Sequence, residues 1–256
     1  ASGGAEGSAA VKGLALPDGD GSVKYTGHQE LIENLDKLPI PAYDLLPMNR
    51  YGTARYLFSP GGVTIHHSRG CISGCSFCAC WLQMAKRSGE PPNEQLFPRW
   101  RTRSVEPVVD EMELLTKKYG KKCLVFVDDT WNVDPVWSDK FADELLRRKL
   151  GINWFAFFRP DFMVRDEASG LFEKLISSGL THVCVGLERA NDQELDRLEK
   201  HNTNAELMLS FIPKLRKKYP SLFLQTTFIV GLRQDTKESL ERLLNYVERL
   251  NPDYPA

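Results

Sequence analysis

The chain has 256 residues, 42% hydrophobic and 26% charged, with a formal net charge of −1. That length can bury a sizeable core, and the charge balance marks neither a nucleic-acid nor a membrane surface. No apolar run is long enough to span a bilayer, and the start lacks the basic and apolar regions of a signal peptide, so a cytoplasmic location is expected. Four of the six cysteines fall within Cys71–Cys80, a clustering that points to metal or redox chemistry and not to a disulfide framework.

Residues 1–10 read as a flexible linker. Val11–Leu16 and Ser22–Tyr25 flank Pro17-Asp-Gly-Asp-Gly21, the pattern of a hairpin. The stretch from Leu35 to Pro47 carries three prolines and reads as a connector with one short helical turn. Residues 11–60 are therefore expected to be a hairpin and connector trailing an upstream domain, and 61–256 the main domain.

From Gly62 onward, strand and helix alternate. Val63–Ser68 is β-rich, and Cys80–Arg103, rich in Pro and Arg, reads as a long loop with some helix. Ser104 is expected to cap a helix with Val105, Val108, Val109, Met112 and Leu115 on one stripe. Then follow the strand Cys123–Val127, a helix over 135–149, the strand Ile152–Phe158, a helix over 166–178 and the strand His182–Leu187. Helical segments over 191–199 and 204–218, the latter with Thr203 and Glu206 as a capping box, lead to the strand Leu222–Val230. Asp235 with Glu238 is expected to cap the last helix. Five β-α units with continuous apolar strands demand a parallel sheet covered by helices, and polar residues follow the strands, where such folds place their chemistry. The chain stops at Asn251–Ala256, where another strand is expected, and has no initiator Met. Both features suggest a fragment, with one sheet edge unpaired and solubility reduced.

Cys71-Ile-Ser-Gly-Cys75-Ser-Phe-Cys78 is the most informative stretch. Three thiolates within eight residues, on a loop after a strand, can reach three corners of a cubane cluster, and soft thiolates select iron–sulfur or zinc. Cys80 offers a fourth thiol for zinc, but Cys78-Ala-Cys80 is tighter than the usual zinc pair and no second pair follows.

This C-x₃-C-x₂-C motif, with the aromatic Phe77 before its last cysteine, resembles the radical S-adenosylmethionine (radical SAM) superfamily. The flanking Asn34-Leu-Asp36, Ser68-Arg-Gly-Cys71, Phe126-Val-Asp128-Asp129, Arg159-Pro-Asp161, Gly186-Leu-Glu188 and Phe228-Ile-Val-Gly231 are similar to the cobalamin-binding group of that superfamily, which includes anaerobic Mg-protoporphyrin ester cyclases and several methylases. The likeness covers about residues 30–251. It implies an open, partial (β/α)₆ TIM-like barrel that cleaves S-adenosylmethionine reductively to begin a radical reaction on a small-molecule or peptide substrate. It implies a [4Fe–4S] cluster on Cys71, Cys75 and Cys78, S-adenosylmethionine on its fourth iron, and an electron donor such as flavodoxin or ferredoxin. It also implies cobalamin held by a domain not present in this chain, and neither membrane nor nucleic acid as partner.

Residue by residue, the likeness places Phe77 beside adenine, Glu188 on the ribose hydroxyls, Arg159 near the methionine carboxylate and Gly231 where backbone approaches adenine. The family's Gly-Gly-Glu after the second strand is replaced by Asp128-Asp129, of which Asp128 is the expected ligand of the amino group. Each has a plainer alternative: loop packing for Phe77, a helix cap for Asp128, a surface ion pair for Glu188, a pair with Asp161 for Arg159 and a tight turn for Gly231. Strand alternation sends His66 and His67 to opposite faces. Cys80 reads as a hydrogen donor or a packed bystander, Cys123 and Cys184 as core, and Arg99–Arg103 as a solvated loop or an anion contact. A methylthiotransferase and a non-enzymatic zinc or electron-transfer module are the competing readings.

Overall fold

The computed structural model describes residues 8, 10–52, 61–89, 93–201 and 203–256. The chain divides into two compact units, residues 1–33 and 34–256. In the first, Ala15–Pro17 and Val23–Tyr25 pair antiparallel, and Asp18 and Asp20 accept backbone N–H groups in the turn between them. The expected linker lies mostly outside the described residues.

The second unit is built on a parallel six-stranded sheet. Its strands are β1 (Gly62–Ile65), β2 (Cys123–Phe126), β3 (Asn153–Phe158), β4 (Leu180–Glu188), β5 (Phe223–Phe228) and β6 (Tyr254–Pro255), laid side by side in chain order. Helices α1 (Val105–Lys117), α2 (Pro135–Arg148), α3 (Pro160–Ala168), α4 (Leu171–Ser177), α5 (Asp192–Arg197), α6 (Ala205–Lys218) and α7 (Lys237–Leu250) fall between the strands. The architecture is the expected open, TIM-like α/β sheet. The sequence reading ended it at five strands; Tyr254 and Pro255 instead pair with Gln225 and Thr226 and make a sixth. The expected unpaired edge is thus two residues long and ends in proline, a form that resists edge-to-edge pairing.

Strand alternation sorts the sheet into two faces. Leu124, Phe126, Trp154, Ala156, Val183 and Val185 are fully buried. They belong to one core with Val108, Met112 and Leu115 of α1 and Phe141 of α2. On the other face, Val127 and Phe157 stay partly open. That concave face carries the chemistry.

Several local expectations shift by a residue or two. Ser104 precedes α1, but its hydroxyl donates to Asp36 and accepts no N–H from the helix. Asn204, not Thr203, caps α6, and Thr236 with Ser239 forms the capping box of α7. Asp235 instead binds the buried Arg189 and the N–H groups of Gly231 and Leu232. The helix expected over 166–178 is two helices parted at Gly170. The stretch after the cysteines holds a helical turn, Cys80–Gln83, and a hairpin of Lys86–Ser88 with Gln95–Phe97. Arg101 and Arg103 are buried, contrary to a solvated loop or an anion contact: Arg103 pairs with Glu111, which also accepts from the Tyr43 hydroxyl. Among the described residues no helix is long and apolar enough to cross a membrane.

Candidate functional site

The cysteine loop leaves the sheet through a fixed path. After β1, Ser68–Arg69 pairs antiparallel with Arg101–Thr102. Gly70 then turns at φ 84°, and a Cβ there would stand 2.0 Å from the Arg99 carbonyl oxygen. Only glycine fits both the conformation and the approach. The loop is held by N–H groups: Ser76 donates to the Leu198 carbonyl at 3.0 Å, Cys78 to the Cys75 carbonyl at 3.1 Å, and the Trp81 indole to the same carbonyl at 3.1 Å.

Cys71, Cys75 and Cys78 line one cavity of about 220 Å³ at the strand C-terminal ends. Cys71 Sγ lies 3.2 Å from the Thr130 hydroxyl and accepts the Ser73 N–H at 3.4 Å. Burial pushes the Cys75 thiol up, and Cys71 and Cys78 add to the rise, while Lys200 and Arg159 oppose it. A metal centre must therefore displace a proton there. Among the described residues no three His, Cys, Asp or Glu side chains converge on a point that would hold a single metal ion. Three thiols spread round a cavity, soft and unmixed with imidazole, are a donor set that fits an iron–sulfur cluster.

Around the same cavity stand Phe77, Asp129, Arg159, Glu188 and Lys200. Phe77 is 40% exposed. Arg159 donates to Asp161 at 3.0 and 2.8 Å and also contacts the Ser73 hydroxyl, so it faces the cavity and pairs with Asp161 at once. Glu188 sits at φ 61°, where the register between β4 and β5 shifts. Lys200 lies 2.9 Å from its carboxylate, and the Thr227 hydroxyl 3.4 and 3.5 Å.

Two expected residues are not brought in. Asp128 is buried on the helix side, the side of Leu124 and Phe126, because residues two apart on a strand share a face. Its Oδ1 accepts the N–H groups of His67 and Ser68 and the Ser68 hydroxyl, with His67 Nδ1 2.9 Å away. Asp129 takes the cavity position, and burial followed by the Asp128 charge raises its carboxyl above the usual range. Gly231 is absent from the cavity lining; its N–H donates to Asp235, and a Cβ there would meet nothing within 4 Å.

His67 is buried against Trp137 and Trp131, while His66 on the opposite face is half-buried. Cys80 stands beside Cys78 and Asp129 but outside the cavity lining, its thiol pushed up to about 11 by burial and these neighbours. Cys123 is buried as expected, whereas Cys184 is buried yet lines the cavity, its thiol pushed up to about 12 by burial. Sequence reasoning missed Lys200, which carries no signal of its own. Of the pair Asp128-Asp129 it is the second that lines the cavity, a choice that the uniformly apolar Cys123–Val127 before it does not reveal.

A family model described as the radical SAM superfamily matches residues 65–247. The chain belongs to the radical SAM superfamily. Within it, the chain is 31% identical to an uncharacterized methyltransferase of Pyrococcus horikoshii, over 95% of this chain and 48% of the relative. It is also 31% identical to an anaerobic magnesium-protoporphyrin IX monomethyl ester cyclase of Rubrivivax gelatinosus, over 95% of this chain and 40% of that one. The chain thus spans less than half the length of these relatives. Its fold matches that of OxsB, a cobalamin-dependent S-adenosylmethionine radical enzyme, with a TM-score of 0.70 and 21% identity, over 93% of this chain and 32% of OxsB. The radical SAM fold is thereby found twice, in sequence and in three dimensions.

Proposed function

We propose that this chain is the catalytic domain of a radical SAM enzyme that acts on an organic substrate. The reading rests above all on Cys71, Cys75 and Cys78 lining one cavity with Asp129, Arg159 and Glu188. The thiolates of Cys71, Cys75 and Cys78 would hold a [4Fe–4S] cluster and, as three ligands from one loop for four irons, leave one iron open. Such a cluster would supply one electron for the reductive cleavage of S-adenosylmethionine to methionine and a 5′-deoxyadenosyl radical, which would abstract hydrogen from the substrate.

The chain's own residues bind and orient. Glu188 suits the two ribose hydroxyls, since a carboxylate accepts both. Asp129, in place of Asp128, suits the methionine amino group, and Arg159 its carboxylate. Phe77 gives adenine an apolar neighbour. Phe157 and Cys184 also line the cavity and add apolar surface to it. Cobalamin, an external electron donor and a small-molecule or peptide substrate complete the proposal, with cobalamin held by residues outside this chain; the likeness to the cobalamin-dependent enzyme supports its use.

The test is anaerobic reconstitution with iron and sulfide, followed by dithionite and S-adenosylmethionine. The expected product is 5′-deoxyadenosine, lost in Cys75→Ala. A colourless protein that takes up one zinc and releases no nucleoside would overturn the proposal.

A further inference from the structure

Lys200 is the cation of this cavity to which neither the motif nor the family likeness gave a role. It follows α5 in a turn where Glu199 adopts φ 53°, a left-handed conformation that reverses the chain. One residue earlier, the Leu198 carbonyl receives the Ser76 N–H of the cysteine loop. The turn thus grips the loop by its backbone and sends Lys200 back toward β4. There its Nζ stands 2.9 Å from Glu188 Oε1 and 5.9 Å from the centre of the Phe77 ring, with only 15% of the side chain exposed.

The pair is housed closely. A Cβ on Gly186 would lie 2.4 Å from Glu188 Oε1 and 2.8 Å from Lys200 Nζ, so the missing side chain makes the room that the ion pair fills. The Thr227 hydroxyl borders the carboxylate on the β5 side. An ammonium held this way fixes the direction of a carboxylate more firmly than a hydroxyl can.

We propose that Lys200 is a positioning residue for S-adenosylmethionine: it aims Glu188 into the cavity and ties that aim to the cysteine loop through Phe77 and the 198–200 turn. The proposal rests on the reading of Glu188 as the ribose acceptor. It gives Lys200 no contact with the bound molecule, so its effect must pass through Glu188.

The experiment measures iron per chain and the dissociation constant for S-adenosylmethionine, by anaerobic equilibrium dialysis of reconstituted protein. Lys200→Met is expected to keep its iron and bind about tenfold more weakly, the size of a lost charged hydrogen bond. Lys200→Arg should restore most of the affinity. In a Glu188→Gln background, Lys200→Met should have no further effect. This double variant is electrically balanced, so it carries the test even if the single variant folds poorly. Unchanged affinity in Lys200→Met, or an added loss in the double variant, overturns the proposal. Wild-type affinity in Glu188→Gln would instead remove the ribose assignment and the Lys200 role with it, and a wild-type protein without iron would remove the enzyme reading altogether.

Discussion

The Asp128 carboxylate gathers the N–H groups of His67 and Ser68 and the Ser68 hydroxyl, just before the chain enters the cysteine loop. Burial, the largest influence on this carboxyl, pushes it up, but His67 and Ser68 outweigh that and hold it below the usual range. Its worth is mechanical: it fixes the root of the loop. Asp128→Ala strands several buried donors at once and is expected to cost about 2–4 kcal/mol, read from urea unfolding. Gly70→Ala acts more locally. Its Cβ would meet a backbone carbonyl, which cannot swing aside as a side chain can, so the variant should fold but bind iron poorly on reconstitution. Full iron loading in Gly70→Ala would show that the loop tolerates a different path.

At the scale of elements, the strands and helices were legible because each shows one period over its whole length. Strands of four to nine residues and amphipathic helices follow the expected order from β1 to α7, except that α3 and α4 stand where one helix is expected. What the sequence hid was set by neighbours in space. Ser104 is a good capping residue by type, yet Asp36 takes its hydroxyl. Arg101 and Arg103 look solvated by composition, yet Glu111 and the tyrosine behind it draw Arg103 inside. The three cysteines and Glu188 stood out through spacing and position after a strand. Asp128 and Asp129 are adjacent and chemically alike, so only the face decided between them, and the run Cys123–Val127 before them is apolar throughout and shows no alternation that would reveal it. Lys200 could not be found, because its role comes from a turn that packs on a loop more than a hundred residues earlier in the chain.

For the molecule as a whole, the concave face carries an acid-sensitive point. His182 packs between Phe155, tilted against it, and Phe223, edge-on, with Gln225 3.2 Å from its ring nitrogen. Burial lowers its pKa from 6.5 to about 4. Between those values the unfolded chain binds a proton that the folded chain refuses, so stability falls as pH drops from 6.5 toward 4. The loss is at most about 3 kcal/mol from this group. His182→Phe should lessen the fall in melting temperature across that window, to which His66, also lowered by burial, contributes, and leave the loss below pH 4, where the lowered carboxyl of Asp128 takes its proton. An unchanged pH profile in His182→Phe would refute this assignment.

The account turns on three thiols holding a cluster with one iron left for S-adenosylmethionine. Electron paramagnetic resonance of the dithionite-reduced, reconstituted protein tests this directly. The expected signal is that of a reduced [4Fe–4S] centre whose g-values shift when S-adenosylmethionine is added. A signal identical with and without S-adenosylmethionine would contradict it.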